Sequence, residues 1–301
     1  MSSIKMNESN YGYAFHEFII HDDVVTKSFK NEIGKWKINK EIKFYRFIEE
    51  RFINFPIPKL VSWQDGTLSI EYLKNSCTIT GVINKENTQM YMMKILECLK
   101  PLHAITIPVS IETVRRDVQL EIEKKVLDRF AEFDWETIPC IKSVNGVKIK
   151  NIYVYINSIK QRLLKLDRTQ YSLIHGDLHL GNILHYDKNK ILFIDPRGYF
   201  GESELFGLIE YDYAKLLFGL SGYSVFDMME IDSITLNDDN LDIEFIRNHE
   251  YIIDNSFFSD TTLMFFLSIW LSNNSSFLSP NKKIVSLMTA YYYCEKILHF
   301  E

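Results

Sequence analysis

The chain has 301 residues, 46% of them hydrophobic and 25% charged, with 12 glycines and 7 prolines, which excludes a disordered, collagen-like or low-complexity protein and allows a substantial core in two lobes or two modest domains. Its 34 basic and 40 acidic residues give a net charge of −6, with no Lys/Arg-dense stretch of the kind nucleic-acid binding calls for. Cys77, Cys98, Cys140 and Cys294 form no CxxC pair, the first residues lack the apolar core of a signal peptide, and the longest apolar run (Leu263 to Leu271) is far short of the roughly 20 residues that span a bilayer, so a reduced, cytosolic protein with no nucleic-acid partner and no membrane span is expected.

In chain order, Tyr13 to Ile20 and Val24 to Lys30 read as two strands around the polar break His21-Asp22-Asp23. Ile42, Tyr45, Phe47 or Ile48, and Phe52 recur at helical spacing, which predicts a helix over 38–52, ended by Pro56 and Pro58. "LVSWQDGTLSIEYL" reads as two strands around a turn at Gln64-Asp65-Gly66. From about Asn84 the character becomes helical: a stripe of Met92, Ile95, Leu96 and Leu99, an amphipathic helix over 112–130, and "INSIKQRLLKL". "YSLIHGD" and "KILFID" read as short strands, "YDYAKLLFG" opens a helix, and the last third is mainly helical, interrupted by an acidic, asparagine-rich stretch over 231–242 that reads as a solvated loop. The expected plan is α+β and bilobal: a β-rich lobe with one helix over 1–74, then a larger, mainly helical lobe over 75–301.

The chemistry concentrates in "IHGDLHLGN" and "FIDPRG". Asn182 follows Asp177 by five residues, and Asp195 follows Asn182 by thirteen, on the next strand. Transfer of a phosphoryl group from ATP needs a carboxylate to orient the acceptor hydroxyl and take its proton, oxygen ligands for Mg²⁺, and a cation for the nucleotide phosphates. Asp177, Asn182 and Asp195 can supply the base and the two metal ligands. Asp, Asn and Gly also favour tight turns. Turn-forming accounts for Gly176 and Gly181 but not for two carboxylates flanked by apolar strands.

These residues closely resemble the signature of the aminoglycoside phosphotransferase and choline kinase family, relatives of the protein kinases. The resemblance implies a bilobal protein-kinase-like fold, with Asp177 as catalytic-loop aspartate, Asn182 and Asp195 as metal ligands, and "DPR" in place of "DFG". It gives His175 a role in backbone geometry. His179 takes the place where protein kinases carry a lysine. "EYDYAKL" resembles the family's "YDLA" helix, whose aspartate, Asp212 here, braces the catalytic loop, and "LECLKPLH" resembles the helix ending in "LH". In the same frame Lys27 of "VVTK" is the nucleotide lysine, with Lys30 as fallback and Glu41 as its ion-pair partner. "IEYL" resembles the hinge, where the backbone around Glu71 and Leu73 meets adenine. "SNYGYAF" holds one glycine, Gly12, so the phosphate loop departs from GxGxxG.

The implied activity is ATP- and Mg²⁺-dependent transfer to a hydroxyl of a small molecule. A sugar or polyol, including a surface-polysaccharide precursor, stands ahead of an amino alcohol or an aminoglycoside on the form of "IDPRG". A catalytically silent nucleotide-binding module is the alternative, and a metal hydrolase using His175, His179 and Asp195 is a third reading, disfavoured because "GDLHLG" is a poor helix. Arg197 could meet a phosphate or substrate anion, or pair with Glu202 or Glu204. His103 and His185 read as packed or surface histidines, and Phe265, Phe266 and Trp270 as core.

Overall fold

The computed structural model describes residues 15–131, 133, 140–187, 190–253, 257–273, 277 and 279–299. Tyr13, Ala14 and the phosphate-loop glycine Gly12 lie outside them. The chain divides into two compact units, Met1–Pro108 with Gln170–Asp212, and Val109–Thr169 with Tyr213–Glu301. This grouping by packing cuts the chain differently from the boundary expected near residue 74. The strands on either side of Asp177 are bonded to residues of the N-terminal segment by backbone pairing and belong with them.

The first unit starts with a four-stranded antiparallel sheet, β1 (His16–His21), β2 (Val24–Phe29), β3 (Leu60–Gln64) and β4 (Thr67–Glu71), in the order β1-β2-β4-β3. Helix α1 (Glu32–Glu50) begins six residues before the apolar periodicity does, because Asn31 caps it by accepting from the Gly34 N–H at 2.9 Å. It ends where Phe52 takes a left-handed conformation ahead of Pro56. One face of α1 buries Ile38, Ile42 and Tyr45 against Leu68 of β4. Glu41 is on that buried side too, which sets up the site described below.

Helix Thr88–His103 buries Met92, Ile95, Leu96 and Leu99, the expected stripe, with Pro101 inside its last turn. Strand Gln170–Leu173 lies between Thr106–Pro108 and Phe206–Gly207, antiparallel to both. The hairpin Ile183–Tyr186/Lys190–Phe193 is extended by Cys77–Thr78, the residues just past the β4 end.

The second unit is mainly helical. The expected helix over 112–130 forms as Ile111–Gln119 and Lys125–Phe130 joined by a π-type turn, Leu120–Lys124. Helices Ile152–Leu163, Asp260–Leu271 and Pro280–Leu298 enclose a core in which Tyr155, Phe265, Phe266, Trp270 and Tyr293 are all buried. The Trp270 indole N–H donates to Ser221 Oγ at 3.0 Å and Tyr293 O–H to the Ser221 carbonyl at 2.8 Å, so both polar ends are satisfied. The acidic stretch is a correction: it contains a hairpin, Leu236–Asn237/Asn240–Leu241, paired in parallel with Ser143–Val144. Asn240 Oδ1 accepts from the Gly146 N–H at 2.8 Å, a long-range bond that a pattern of charges does not reveal.

Candidate active site

The site is built inside the first unit, on three pieces of chain. Strand β2 presents Lys27, α1 presents Glu41, and the hairpin after the Asp177 loop presents Asp195. Lys27 Nζ donates to Glu41 Oε2 at 2.8 Å and to Asp195 Oδ1 at 3.0 Å. Lys27 and Glu41 are buried, while the Asp195 side chain is 41% exposed, so the cluster has a dry end and an open end. Burial by itself would lower the Lys27 pKa, but the charges of Asp195 and Glu41 outweigh it and hold the ammonium above its ordinary value. Burial pushes Glu41 up to about 7 against the pull of Lys27. Asp195, also working against desolvation, is held below the ordinary carboxylate range by Lys27. The arrangement therefore offers one ionised carboxylate at the open end, next to a fixed cation. Lys30, the fallback, is exposed beyond the strand end.

The loop carrying Asp177 is held from below. Asp212 is fully buried; its Oδ1 accepts from the Gly176 N–H at 2.7 Å, and its Oδ2 accepts from the His175 N–H at 2.9 Å. The same Oδ2 meets His103 Nε2 at 2.9 Å. Gly176 takes φ +79°, and a Cβ there would come within 2.9 Å of Arg197 Cβ, so glycine is required on both counts. The His175 ring is also buried: its Nε2 bonds the Ile194 carbonyl at 3.0 Å, and its Nδ1 accepts from the Asp177 N–H at 3.3 Å. Together these fix the tautomer and tie the Asp177 loop to the strand leading into Asp195. Burial lowers the His175 pKa, keeping the ring neutral.

Asn182 Nδ2 donates to the Asp177 carbonyl at 2.9 Å, which commits the donor end of the amide and turns its oxygen the other way. The Ile194 N–H donates to the Asn182 carbonyl at 3.0 Å, linking the two strands of the hairpin. His179 Nδ1 accepts from the Gly181 N–H at 3.1 Å, a cap on the short turn over 180–182. A magnesium ion fits this donor set: Asn182 Oδ1 and the Asp195 carboxylate are hard oxygens, and neither is a soft or imidazole ligand. Among the described residues no group of three or more His, Cys, Asp or Glu is arranged to hold a metal, and His175 has both ring nitrogens in use, so the hydrolase reading loses His175 as a ligand.

Residues 136–213, which contain all of this loop, match the family model of the fructosamine kinases. The chain is similar in fold to the choline kinase LicA from Streptococcus pneumoniae, with a TM-score of 0.54, 13% identity, and 99% of this chain and 94% of that one covered. It is likewise similar to an ADP-bound aminoglycoside phosphotransferase, APH(2″)-Ib, with a TM-score of 0.52, 14% identity, and coverage of 98% and 93%. A glucosamine kinase is similar with a TM-score of 0.50 at 13% identity, over 94% of this chain and 74% of that one. Comparison with curated proteins gives no match. The fold is that of the protein-kinase-like small-molecule kinases.

In this kinase-like frame, the expected residues fall into a bonded group and two outliers. Lys27, Glu41, Asp195, Asn182, Asp177, His175 and Asp212 are joined by the bonds above, with His179 on the same loop. Glu71 and Leu73, expected at a hinge, make none of these bonds: the Glu71 N–H donates to the Lys59 carbonyl at 3.0 Å, and the Leu73 carbonyl accepts from Ser76. The proposed partners of Arg197 need correcting for Glu204, which is bound instead by Lys40 and Lys43. Arg197 Nη1 donates to Tyr211 Oη at 2.8 Å, and its guanidinium lies 3.9 Å from the centre of the Tyr199 ring. His103 has more of a role than packing, since it shares Asp212 with the loop. The "LH" ending its helix was the available signal, but only folding brings it to an aspartate 109 positions away. No helix among the described residues is long and apolar enough to cross a membrane.

Proposed function

We propose that this chain is an ATP-dependent kinase that moves the γ-phosphoryl group to a hydroxyl of a small molecule, with a sugar or polyol as the acceptor class. The observation that carries the reading is the three-way contact of Lys27 with Glu41 and Asp195, next to a catalytic loop braced by Asp212. Lys27 positions the α and β phosphates, and Glu41 holds it in place. The adenine edge lies along the backbone of Glu71 to Leu73, in the lobe over 1–74. Asp177, whose side chain is 35% exposed, orients the acceptor hydroxyl and accepts its proton. Asn182 and Asp195 would hold Mg²⁺, which supplies charge neutralisation across the phosphate oxygens when bound. Positioning and electrostatics then do most of the catalytic work.

The sugar or polyol class is supported by the fructosamine kinase match over the catalytic segment and by fold likeness to a glucosamine kinase. The test is an ATP-consumption screen over sugars, polyols, amino alcohols and aminoglycosides. ADP should form only with an added acceptor, and the Asp177→Asn variant should lose transfer while still binding Mg·ATP. Turnover by that variant at the wild-type rate would refute the assignment of the base, and Mg·ATP binding with no acceptor-dependent ADP across the panel would favour the silent module.

A further inference from the structure

We propose that Glu204 is a positioning residue: its carboxylate fastens the segment that follows Asp195 onto α1, and so keeps Glu41 in register with Lys27. The inference rests on the reading above that Lys27 aligns the nucleotide.

Trp36, Lys40 and Lys43 are spaced four and three residues apart on α1, which puts them on one stripe of the helix. That stripe is met by the short hairpin Tyr199–Phe200/Ser203–Glu204, in which Tyr199 pairs with Glu204. Three contacts fasten the two together. The Trp36 and Tyr199 rings lie 4.7 Å apart. Gly198, at φ +71°, sits so close to α1 that a Cβ would fall 2.4 Å from the Lys40 carbonyl oxygen. Lys43 Nζ donates to both Glu204 oxygens, at 2.8 and 2.9 Å, and Lys40 Nζ donates to Oε1.

Exposed ion pairs in general contribute little. This one differs in having a carboxylate shared by two lysines, one of which, Lys40, is only 14% exposed. The hydrogen bonds of Lys40 and Lys43 hold Glu204 below its ordinary pKa, so its carboxylate is ionised throughout the neutral range. Its location gives it a function beyond surface decoration. Lys40 and Lys43 flank Glu41 in sequence, and the hairpin they grip continues directly from Asp195. The clamp thus ties together, from outside, the two chain segments whose carboxylates converge on Lys27. Without it, α1 keeps its apolar seat on Leu68 but loses one of the three contacts that set its rotation and slide. A glutamate that only decorated the surface would leave nucleotide affinity untouched.

The test is calorimetric titration with Mg·AMP-PNP, with no acceptor present, of the unaltered chain and of Glu204→Gln, Lys43→Met and the double variant. Glu204→Gln should bind about tenfold more weakly, with the melting temperature in the absence of nucleotide unchanged. The double variant should bind no more weakly than Glu204→Gln, and Glu204→Asp should recover part of the loss. Equal affinity in Glu204→Gln, additive losses in the double variant, or a loss of affinity matched by a loss of melting temperature would each overturn the inference. Failure of the unaltered chain to bind Mg·AMP-PNP would overturn the kinase reading instead.

Discussion

Asp212→Asn should loosen the catalytic loop without removing any group that touches substrate. The carboxylate accepts three bonds at full burial, from the N–H groups of Gly176 and His175 and from the His103 ring. An amide has a single oxygen. Placed at the Oδ2 position it still serves His175 and His103, but its NH₂ then faces the Gly176 N–H, donor against donor. The opposite orientation leaves two donors unserved. The better choice orphans one buried backbone N–H, at about 1–3 kcal/mol, and turns two charge-assisted bonds into neutral ones, at roughly 1 kcal/mol each. The amide is cheaper to bury than the carboxylate, which returns part of this. A net loss of about 2–4 kcal/mol is expected, a large share of the 5–15 kcal/mol by which domains are ordinarily stable. His103→Phe, which removes one donor and leaves both loop amides served, should lose about half as much. Urea titration of the three proteins measures the losses, and turnover measured in parallel should fall further in Asp212→Asn than in His103→Phe, since the loop itself shifts. An Asp212→Asn variant with an unchanged urea midpoint and unchanged turnover would refute the bracing argument.

Two further outcomes follow from the same geometry. Gly198→Ala should destabilise the first unit by more than the roughly 1–2 kcal/mol that a left-handed alanine costs, because its Cβ meets the Lys40 carbonyl oxygen; Gly146→Ala, at φ +78° with open space around it, should show the conformational cost alone, and equal urea midpoints for the two would refute the close approach. His16 is buried with Nε2 at 3.3 Å from the Gly34 carbonyl, and burial, helped by the Lys27 charge, brings its pKa down to about 4. Because the unfolded chain takes up that proton near pH 6.5, the stability His16 contributes is complete above pH 6.5 and drains away as pH falls toward 4, by about 2 kcal/mol at pH 5. Glu41, pushed up to about 7, works in the opposite sense, its contribution being full below about pH 4.5 and lost as pH rises through 7. Comparing the chain with His16→Gln at pH 7.5, 6 and 5 isolates the first effect: the gap in urea stability should narrow as pH falls, and a constant gap would rule it out.

The sequence by itself determined the kinase-like fold class. Asp177, Asn182 and Asp195 are bunched within one loop and one hairpin, so their convergence is a local matter of turn geometry and short strands. The helical stripe at Met92, Ile95, Leu96 and Leu99 was equally legible, because burial on one helix face follows directly from periodicity. What only the tertiary structure decided was every relation between distant segments. Lys27 lies on β2 and Lys30 just past its end, and strand pattern could not choose between them; folding set Asp195, 168 positions from Lys27, within 3.0 Å of it. Glu204 looked like a partner for the nearby Arg197, yet α1 brought it two lysines from more than 160 positions upstream. His103 and Asp212 met for the same reason, and the asparagine-rich stretch became a hairpin by pairing with a strand about a hundred positions earlier. A local pattern reports which face of an element seeks burial. Which charge stands opposite which is fixed only once the sheet and helices have packed, since ion pairs and ring contacts depend on distances that no spacing in the sequence encodes.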